Sequence, residues 1–390
     1  MVSRTSKILK VKRYMTRKYK KIRAVISGGG TGGHIFPAIS IASKLRELNP
    51  ENEILFVGAE GKMEMEKVPA AGFEIVGLPI LGLQRQLNWK NIKNDIQVPF
   101  RWLASLRKAG RILDEFKPDV AIGVGGYASA PLLRKATAKG IPSLIQEQNG
   151  FAGLTNRMLS SKVDCICVAY DGMEKFFPAD KIVFSGNPIR SEMHPYSEEE
   201  RQEAIRFYGL DPDKKHILIV GGSLGSGTLN TAVKNWISNS CPGGEGVQLL
   251  WQCGKYYKAG VDAFMKGREL PDIQYSDFIA RMDLAYAAAD VIISRSGASS
   301  ISEICATGKA AVFVPSPNVA EDHQTHNAMA LVSKDAALMV RDAEASQKLM
   351  QTALELVRDD ARRSTMEKNV AVLARPDAAQ TIVDEIYKLV

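Results

Sequence analysis

Three glycine-rich turns, each set between a short apolar run and an amphipathic stretch, constrain this chain more than any other feature. They are Gly28-Gly29-Gly30-Thr31-Gly32-Gly33-His34, Gly123-Val124-Gly125-Gly126-Tyr127 and Gly221-Gly222-Ser223-Leu224-Gly225. Buried parallel strands read as continuous apolar runs, and glycine after such a run lets the backbone turn sharply and approach a ligand. The helix start behind the turn offers N–H groups to anionic or hydroxyl-rich ligands. Residues 22–26, 54–57, 120–124, 143–145, 163–168 and 182–184 form one series of such runs, and 217–220, 249–251, 291–293 and 311–314 a second. Helical stretches lie between them, as in 35–48, where Ile35, Ile39, Ala42 and Leu45 recur at helical spacing and Pro37 falls in the first turn. Two successive β-α series predict an α/β chain with two doubly wound, Rossmann-like parallel-sheet domains. Three glycine-lined strand ends split between them imply an interdomain ligand cleft.

A length of 390 residues suits two such domains. The join is expected near Gly186-Asn187-Pro188, giving a basic arm over 1–20, a first domain over 21–187 and a second over 188–374. A last amphipathic helix within 375–390, with Ile382, Ile386 and Leu389 as its stripe, is expected to cross back to the first domain. Hydrophobic residues at 45% with 24% charged fit a globular chain and argue against disorder over most of its length. No apolar run reaches the ~18 residues that span a bilayer, and the start lacks the apolar core of a signal peptide. The net charge of +8 is local: residues 1–23 hold ten Lys or Arg and no acid, leaving 41 basic against 43 acidic residues elsewhere. The arm therefore reads either as an attractor of anionic lipid or as a plain extension. Five cysteines are too few and scattered for a disulfide framework. Cys165 and Cys167, on one strand, are read as pointing to opposite faces, against a metal pair.

The first turn matches G-x-G-x-x-G through Gly28, Gly30 and Gly33, so a dinucleotide site has to be weighed. That reading wants an acid closing the second strand, which here ends Val57-Gly58-Ala59-Glu60, with Glu60 late. It also leaves the turn at 221–225 without a purpose. A P-loop is excluded, because no Gly-Lys-Ser/Thr follows any turn. Asp211-Pro212-Asp213 precedes a strand instead of closing one, so the usual metal–diphosphate pair is missing, and no obligatory metal or other cofactor is expected.

Further stretches continue an ordered series. Gly29 to His34, Gly125-Gly126-Tyr127, Glu147-Gln148-Asn149-Gly150 through Asn156, Gly186-Asn187-Pro188-Ile189-Arg190, Gly221-Gly222-Ser223, Arg295-Ser296-Gly297-Ala298 with Ser302-Glu303, and Asp322-His323-Gln324 through Asn327-Ala328 occur in that order. From about residue 21 to the end, the chain resembles the bacterial UDP-N-acetylglucosamine:N-acetylmuramyl-(pentapeptide) pyrophosphoryl-undecaprenol N-acetylglucosamine transferases. The resemblance implies the GT-B fold and inverting transfer of N-acetylglucosamine to the 4-hydroxyl of the muramyl sugar of a lipid-linked acceptor. The product would be the β-1,4-linked precursor of peptidoglycan, placing the chain in cell-wall growth, cell shape and division. The partners implied are UDP-N-acetylglucosamine, undecaprenyl-pyrophosphoryl-muramyl-pentapeptide and an anionic membrane surface on the cytoplasmic side, with no nucleic acid. One departure stands out: Ser226-Gly227-Thr228 follows Gly225 where the family more often has Ala-Arg, which puts any contact of that arginine in doubt.

An inverting transfer needs a base for the acceptor hydroxyl and a way to hold the departing UDP charge. His34, in a glycine-rich turn, is the candidate base; a helix-start histidine can also simply bind phosphate. Glu147 is the candidate to orient or replace it, or else caps the next helix. Arg190 would form paired bonds to phosphate, unless it is a surface linker residue. Ser223, Ser299 and Ser300 sit at helix starts, where they can meet a ligand or merely cap. The resemblance assigns Glu303 to the ribose hydroxyls within the donor run Ala298, Ser299, Ser300, Ile301, Ser302 and Glu303. It carries Ile279 over as a uracil-side backbone contact, Gln324 as a partner of the donor sugar, and Thr31, Gly32, Gly33 and Asn149 as donor-side positions. Gly30, Gly125, Gly126 and Tyr127 fall on the acceptor side. Between 83 and 111, Leu87, Trp89, Phe100 and Trp102 stand among seven Lys or Arg with only Asp95 opposing them, as suits a segment lying in a headgroup layer; a core helix with a solvated basic face is the other reading. Rival readings are a diacylglycerol glycolipid transferase, a UDP-N-acetylglucosamine 2-epimerase and a non-catalytic nucleotide-sugar sensor.

Overall fold

The structure, a computed structural model, describes residues 19–80, 89–190, 192–222, 224–319 and 322–390, with the backbone alone for 89–97. The chain divides into two compact units: residues up to Ile189 together with Asp377–Val390, and Arg190–Pro376.

In the first unit, β1 (Arg23–Ser27), α1 (Gly32–Leu48), β2 (Glu53–Ala59), α2 (Glu64–Ala70), β3 (Glu74–Leu78) and α3 (Trp89–Phe116) lead into β4 (Val120–Gly123). Next come α4 (Ser129–Ala138), β5 (Ser143–Glu147), α5 (Leu154–Leu159), β6 (Cys165–Val168) and β7 (Ile182–Phe184). The strands form one parallel sheet in the order β3-β2-β1-β4-β5-β6-β7. Alternation along β1 sends Ala24 and Ile26 to one face and Val25 to the other, so each face has its own core. The first core is completed by Ile382, Val383 and Ile386 of the C-terminal helix Ala378–Leu389.

Two readings need correcting here. Cys165 and Cys167 share one face, because residues two apart on a strand always do; both lie in the core that holds Ile26, as free cysteines. α1 begins at Gly32, three residues before the first apolar position of its stripe, which puts Pro37 inside the helix. The carbonyl that Pro37 cannot bond is that of Gly33, within the glycine turn itself.

The second unit runs through α6 (Glu198–Tyr208), β8 (Lys215–Val220), α7 (Gly227–Ser238), β9 (Val247–Gln252), α8 (Lys258–Met265), β10 (Ile273–Ser276), α9 (Met282–Ala288) and β11 (Val291–Ser294). It closes with α10 (Ala298–Thr307), β12 (Ala310–Phe313), α11 (His323–Val332), β13 (Leu338–Met339), α12 (Ala345–Arg358) and α13 (Asp360–Val372). Its parallel sheet has the order β10-β9-β8-β11-β12-β13. Ser197 opens α6 with a reciprocal capping box to Glu200, and Gly209 closes it in the left-handed region. Strand order reverses between β1 and β4 in one sheet and between β8 and β11 in the other. Ligands of open α/β sheets bind beyond the carboxyl ends of the strands at such points. All three glycine turns, and the start of α10, lie there.

Candidate functional site

The first glycine turn is filled from inside the protein. A Cβ on Gly28 would lie 3.0 Å from Val124 Cβ, and one on Gly29 would fall 2.1 Å from Glu64 Oε1. Gly30 has φ of +89°, and the Tyr127 ring covers it. Gly126 in turn packs against the turn: its Cβ would come within 2.2 Å of the Gly29 carbonyl oxygen. These glycines let two loops interlock, a tighter requirement than room for a ligand. Glu64, fully buried at the start of α2, accepts from Gly30 N at 3.1 Å and Ala59 N at 3.0 Å. Sequence reasoning missed it, because an acid in a charged stretch reads as solvated; Gly58 and Gly29, both lacking a side chain where it passes, were the available signal.

His34 lies in the third position of α1, half-buried, with Nδ1 3.1 Å from Thr31 Oγ1. Its imidazole occupies the space that a side chain at Gly125 would need, 2.9 Å from that missing Cβ. Thr31, His34, Gly30, Gly125, Gly126 and Tyr127 are therefore brought together. Glu147 closes β5 beneath them and is buried. Its Oε1 accepts from Asn149 N and Nδ2, and its Oε2 from Gly153 N and Asn156 Nδ2, at 2.9 to 3.3 Å. Burial pushes the Glu147 carboxyl above its ordinary value, while the bonds from Gly153, Asn156 and Asn149 pull it back. Asn156 Oδ1 is buried and has no hydrogen-bond partner among the described residues. Gln146 and Gln148 fasten the same loop, through Asn187 Oδ1 and the Val124 carbonyl. Glu60, the acid a dinucleotide site would have used, is paired with Lys108 at 2.9 Å.

In the second unit, Ser223 lies outside the described residues. Gly225 packs its backbone on Cys253 and Gly254, whereas Gly222, with φ of +84°, has no atom of the described residues within 4 Å of its would-be Cβ. Ser226, where the chain departs from the family pattern, caps α7 by accepting from Leu229 N at 3.3 Å. Across the switch point, Ser299 Oγ at the start of α10 is buried and has no partner among the described residues. Ile301 is buried with its N–H given to Gly297 O, and Ser302 Oγ donates to Ala298 O. Those two groups serve the helix, which leaves Ser299, Ser300 and Glu303 as the candidates of the run.

Glu303 meets Arg190, with Nε to Oε1 at 3.0 Å and Nη2 to Oε1 at 2.9 Å, and accepts from Tyr286 Oη at 3.3 Å. Burial pushes its carboxyl up, and Arg190 and Tyr286 pull it down. Two residues given separate roles by the sequence thus form one ion pair. Gln324 Oε1 accepts from Ser316 N at 2.8 Å, which fixes its amide with Nε2 turned away as a donor. Ile279 is buried. Among the described residues no group of three or more His, Cys, Asp or Glu could hold a metal ion.

Of the membrane candidates, Leu87 and the side chain of Trp89 lie outside the described residues, as do residues 1–18 of the basic arm. Phe100 on α3 is 75% exposed and Leu103 45%, beside exposed Arg101, Arg107 and Arg111. Trp102 turns the other way and packs on the first unit's core. No helix among the described residues is long and apolar enough to cross a membrane.

Residues 24–168 match the glycosyltransferase family 28 N-terminal domain, and 216–382 match the glycosyltransferase family 28 C-terminal domain. The chain is 53% identical over 371 residues to the UDP-N-acetylglucosamine–N-acetylmuramyl-(pentapeptide) pyrophosphoryl-undecaprenol N-acetylglucosamine transferase of Parabacteroides distasonis, covering 95% of this chain and 99% of that one. The enzyme of the same description from Cytophaga hutchinsonii is 50% identical over 371 residues, covering 95% and 98%. Among solved structures, Acinetobacter baumannii MurG matches with a TM-score of 0.74 and 29% identity over 94% of this chain and 99% of that one. A UDP-N-acetylglucosamine 2-epimerase matches with a TM-score of 0.61 at 13% identity, over 94% and 95%, a likeness of fold alone.

Proposed function

The chain belongs to glycosyltransferase family 28, and we propose that it transfers N-acetylglucosamine from UDP-N-acetylglucosamine to the muramyl sugar of undecaprenyl-pyrophosphoryl-N-acetylmuramyl-pentapeptide. One observation carries this reading: identity at just over half of the aligned positions, across 95% of the chain, with a relative named for that transfer. The reaction is tested with radiolabelled UDP-N-acetylglucosamine, with and without the lipid-linked acceptor. A labelled lipid disaccharide that forms only with the acceptor supports it. Free epimer, a diacylglycerol product or no turnover would each favour a rival.

The acceptor hydroxyl loses its proton to His34. For Nε2 to take it, the resting ring proton must sit on Nδ1, where Thr31 Oγ1 is an acceptor 3.1 Å away. The freed oxygen attacks the anomeric carbon, the bond to the UDP oxygen breaks on the opposite side, and the configuration inverts. Glu147, held by four N–H donors, keeps Asn149 and its loop in position. Negative charge collects on the departing diphosphate, where Arg190, Ser299, Ser300 and the α10 N-terminus oppose it. Glu303 takes the ribose hydroxyls through Oε2, which keeps a second lone pair after accepting from Tyr286, while Oε1 is held by Nε and Nη2 of Arg190. Gln324 offers Nε2 to the donor sugar, and Ile279 its backbone to uracil.

In this reading no metal is required, because the cation and helix terminus supply the positive charge. Exhaustive treatment with EDTA is expected to leave turnover intact. The protein works at the cytoplasmic face of an anionic membrane, touching it through Phe100, Leu103 and the neighbouring arginines of α3.

A further inference from the structure

Glu64 has no part in the reaction as described, yet the first glycine turn is built around it. We infer that Glu64 is a positioning residue for the sugar transfer, fixing the first glycine turn and through it Thr31 and His34. The inference rests on the function proposed above. The side chain reaches the turn through a passage that exists only because two residues lack side chains. A Cβ on Gly29 would lie 2.1 Å from Glu64 Oε1, and one on Gly58 2.6 Å from its Cγ. The carboxylate then receives one N–H from each of two strand ends, Gly30 N after β1 and Ala59 N closing β2. An apolar residue would fill the same volume but leave the buried Ala59 N–H and the part-buried Gly30 N–H without this acceptor. A glutamine has one oxygen and one NH2 group, so it meets one N–H and sets a donor against the other.

Gly30 is held from both sides, by the Glu64 carboxylate and by the Tyr127 ring, whose nearest atom is 3.1 Å from its would-be Cβ. Four residues later comes His34, already engaged by Thr31 Oγ1 and wedged over Gly125. So short a segment has little slack. A shift at Gly30 is passed on to the imidazole, whose placement against the acceptor hydroxyl governs the rate.

The test uses the full chain with UDP-N-acetylglucosamine and the lipid-linked acceptor, turnover being normalised to UDP-binding sites counted by calorimetry. Glu64→Gln is expected to lower kcat about a hundredfold, the scale of a misplacement near 1 Å, with UDP affinity and donor KM within about twofold of the parent. Glu64→Asp, which retains an acid, should recover part of the loss. Gly29→Ala keeps the acid but displaces it, and should reproduce the loss. Parental kcat in folded Glu64→Gln would overturn the inference, as would a fall in UDP affinity that matches the fall in kcat. If Glu64→Gln does not fold, Gly29→Ala decides: parental turnover there overturns the inference, and a selective loss of kcat supports it. A parent that makes no lipid disaccharide would overturn the proposed function, and this inference with it. An active parent beside an unaffected Glu64→Gln would overturn this inference alone.

Discussion

The turn after β1 and the turn after β8 share a glycine-rich sequence and a place at a strand-order switch, but they use their glycines differently. In the first unit Gly29, Gly30 and Gly126 face protein atoms, and a buried acid takes one of the turn's N–H groups. In the second unit Gly222 faces open space among the described residues, and the ionic groups Arg190 and Glu303 are paired with each other. The same motif therefore fixes a histidine in one place and leaves room in the other. A glycine-rich turn identifies a constrained backbone; only its neighbours say whether the constraint comes from a ligand.

The sharpest way to break this contrast is at His34. His34→Ala should lower kcat by roughly 10²–10⁴-fold, the range for loss of a proton acceptor, while calorimetry should find UDP affinity unchanged, since the proposed mechanism gives UDP to the second unit. A large loss of UDP binding would mean that the first turn grips the nucleotide.

Arg190→Ala should act in the opposite sense, weakening UDP by about 1.5–3 kcal/mol, as for a lost hydrogen bond to a charged group. It carries a pH signature as well. Burial holds the Glu303 carboxyl above its ordinary 4.5, with Arg190 restraining the rise. A group raised on folding contributes stability that is complete below its unfolded pKa and fades as pH rises through the folded one. Arg190→Ala removes the restraint, so its cost in melting temperature should be larger at pH 7 than at pH 4. An equal cost at both would show that Glu303 stays neutral in the parent.

A pair of alanines sharpens the contrast further. Gly126→Ala drives a Cβ to within 2.2 Å of a backbone oxygen, so it should destabilise the protein whether or not UDP is present. Gly222→Ala meets open space and only the strain of positive φ, about 1–2 kcal/mol, but should weaken UDP binding. The smallest effect is expected on α3. Phe100→Ser should reduce binding to anionic liposomes without lowering the melting temperature, while Trp102→Ser should lower it by unpacking the core.

Much of this was legible beforehand, for reasons that particular residues make plain. The central strands announce themselves because both faces are buried: residues 217–220 and 291–293 are unbroken apolar runs. The strands β3 and β10 are hidden because Glu74, Gln274 and Tyr275 interrupt the apolar pattern, and β13 because it has only two residues. His34, Arg190 and Glu303 were legible as chemistry, but the Arg190–Glu303 pair joins residues far apart in sequence. Glu64 and Gly254 were hidden for the same reason: each matters only through a loop that packs on it in space. The shared face of Cys165 and Cys167 follows from the strand period alone, since residues two apart on a strand point the same way.

The C-terminal helix has a consequence for how the protein is made. Tyr19 donates to Asp384 at 2.8 Å and stacks edge-on against Tyr387, while Ile382, Val383 and Ile386 plug the first sheet. On the ribosome, the N-terminal half must wait with an apolar socket open until residues 382–386 have emerged. Synthesis order and assembly order thus part company, and a nascent chain stalled before residue 382 should be a better chaperone client than one released at its end.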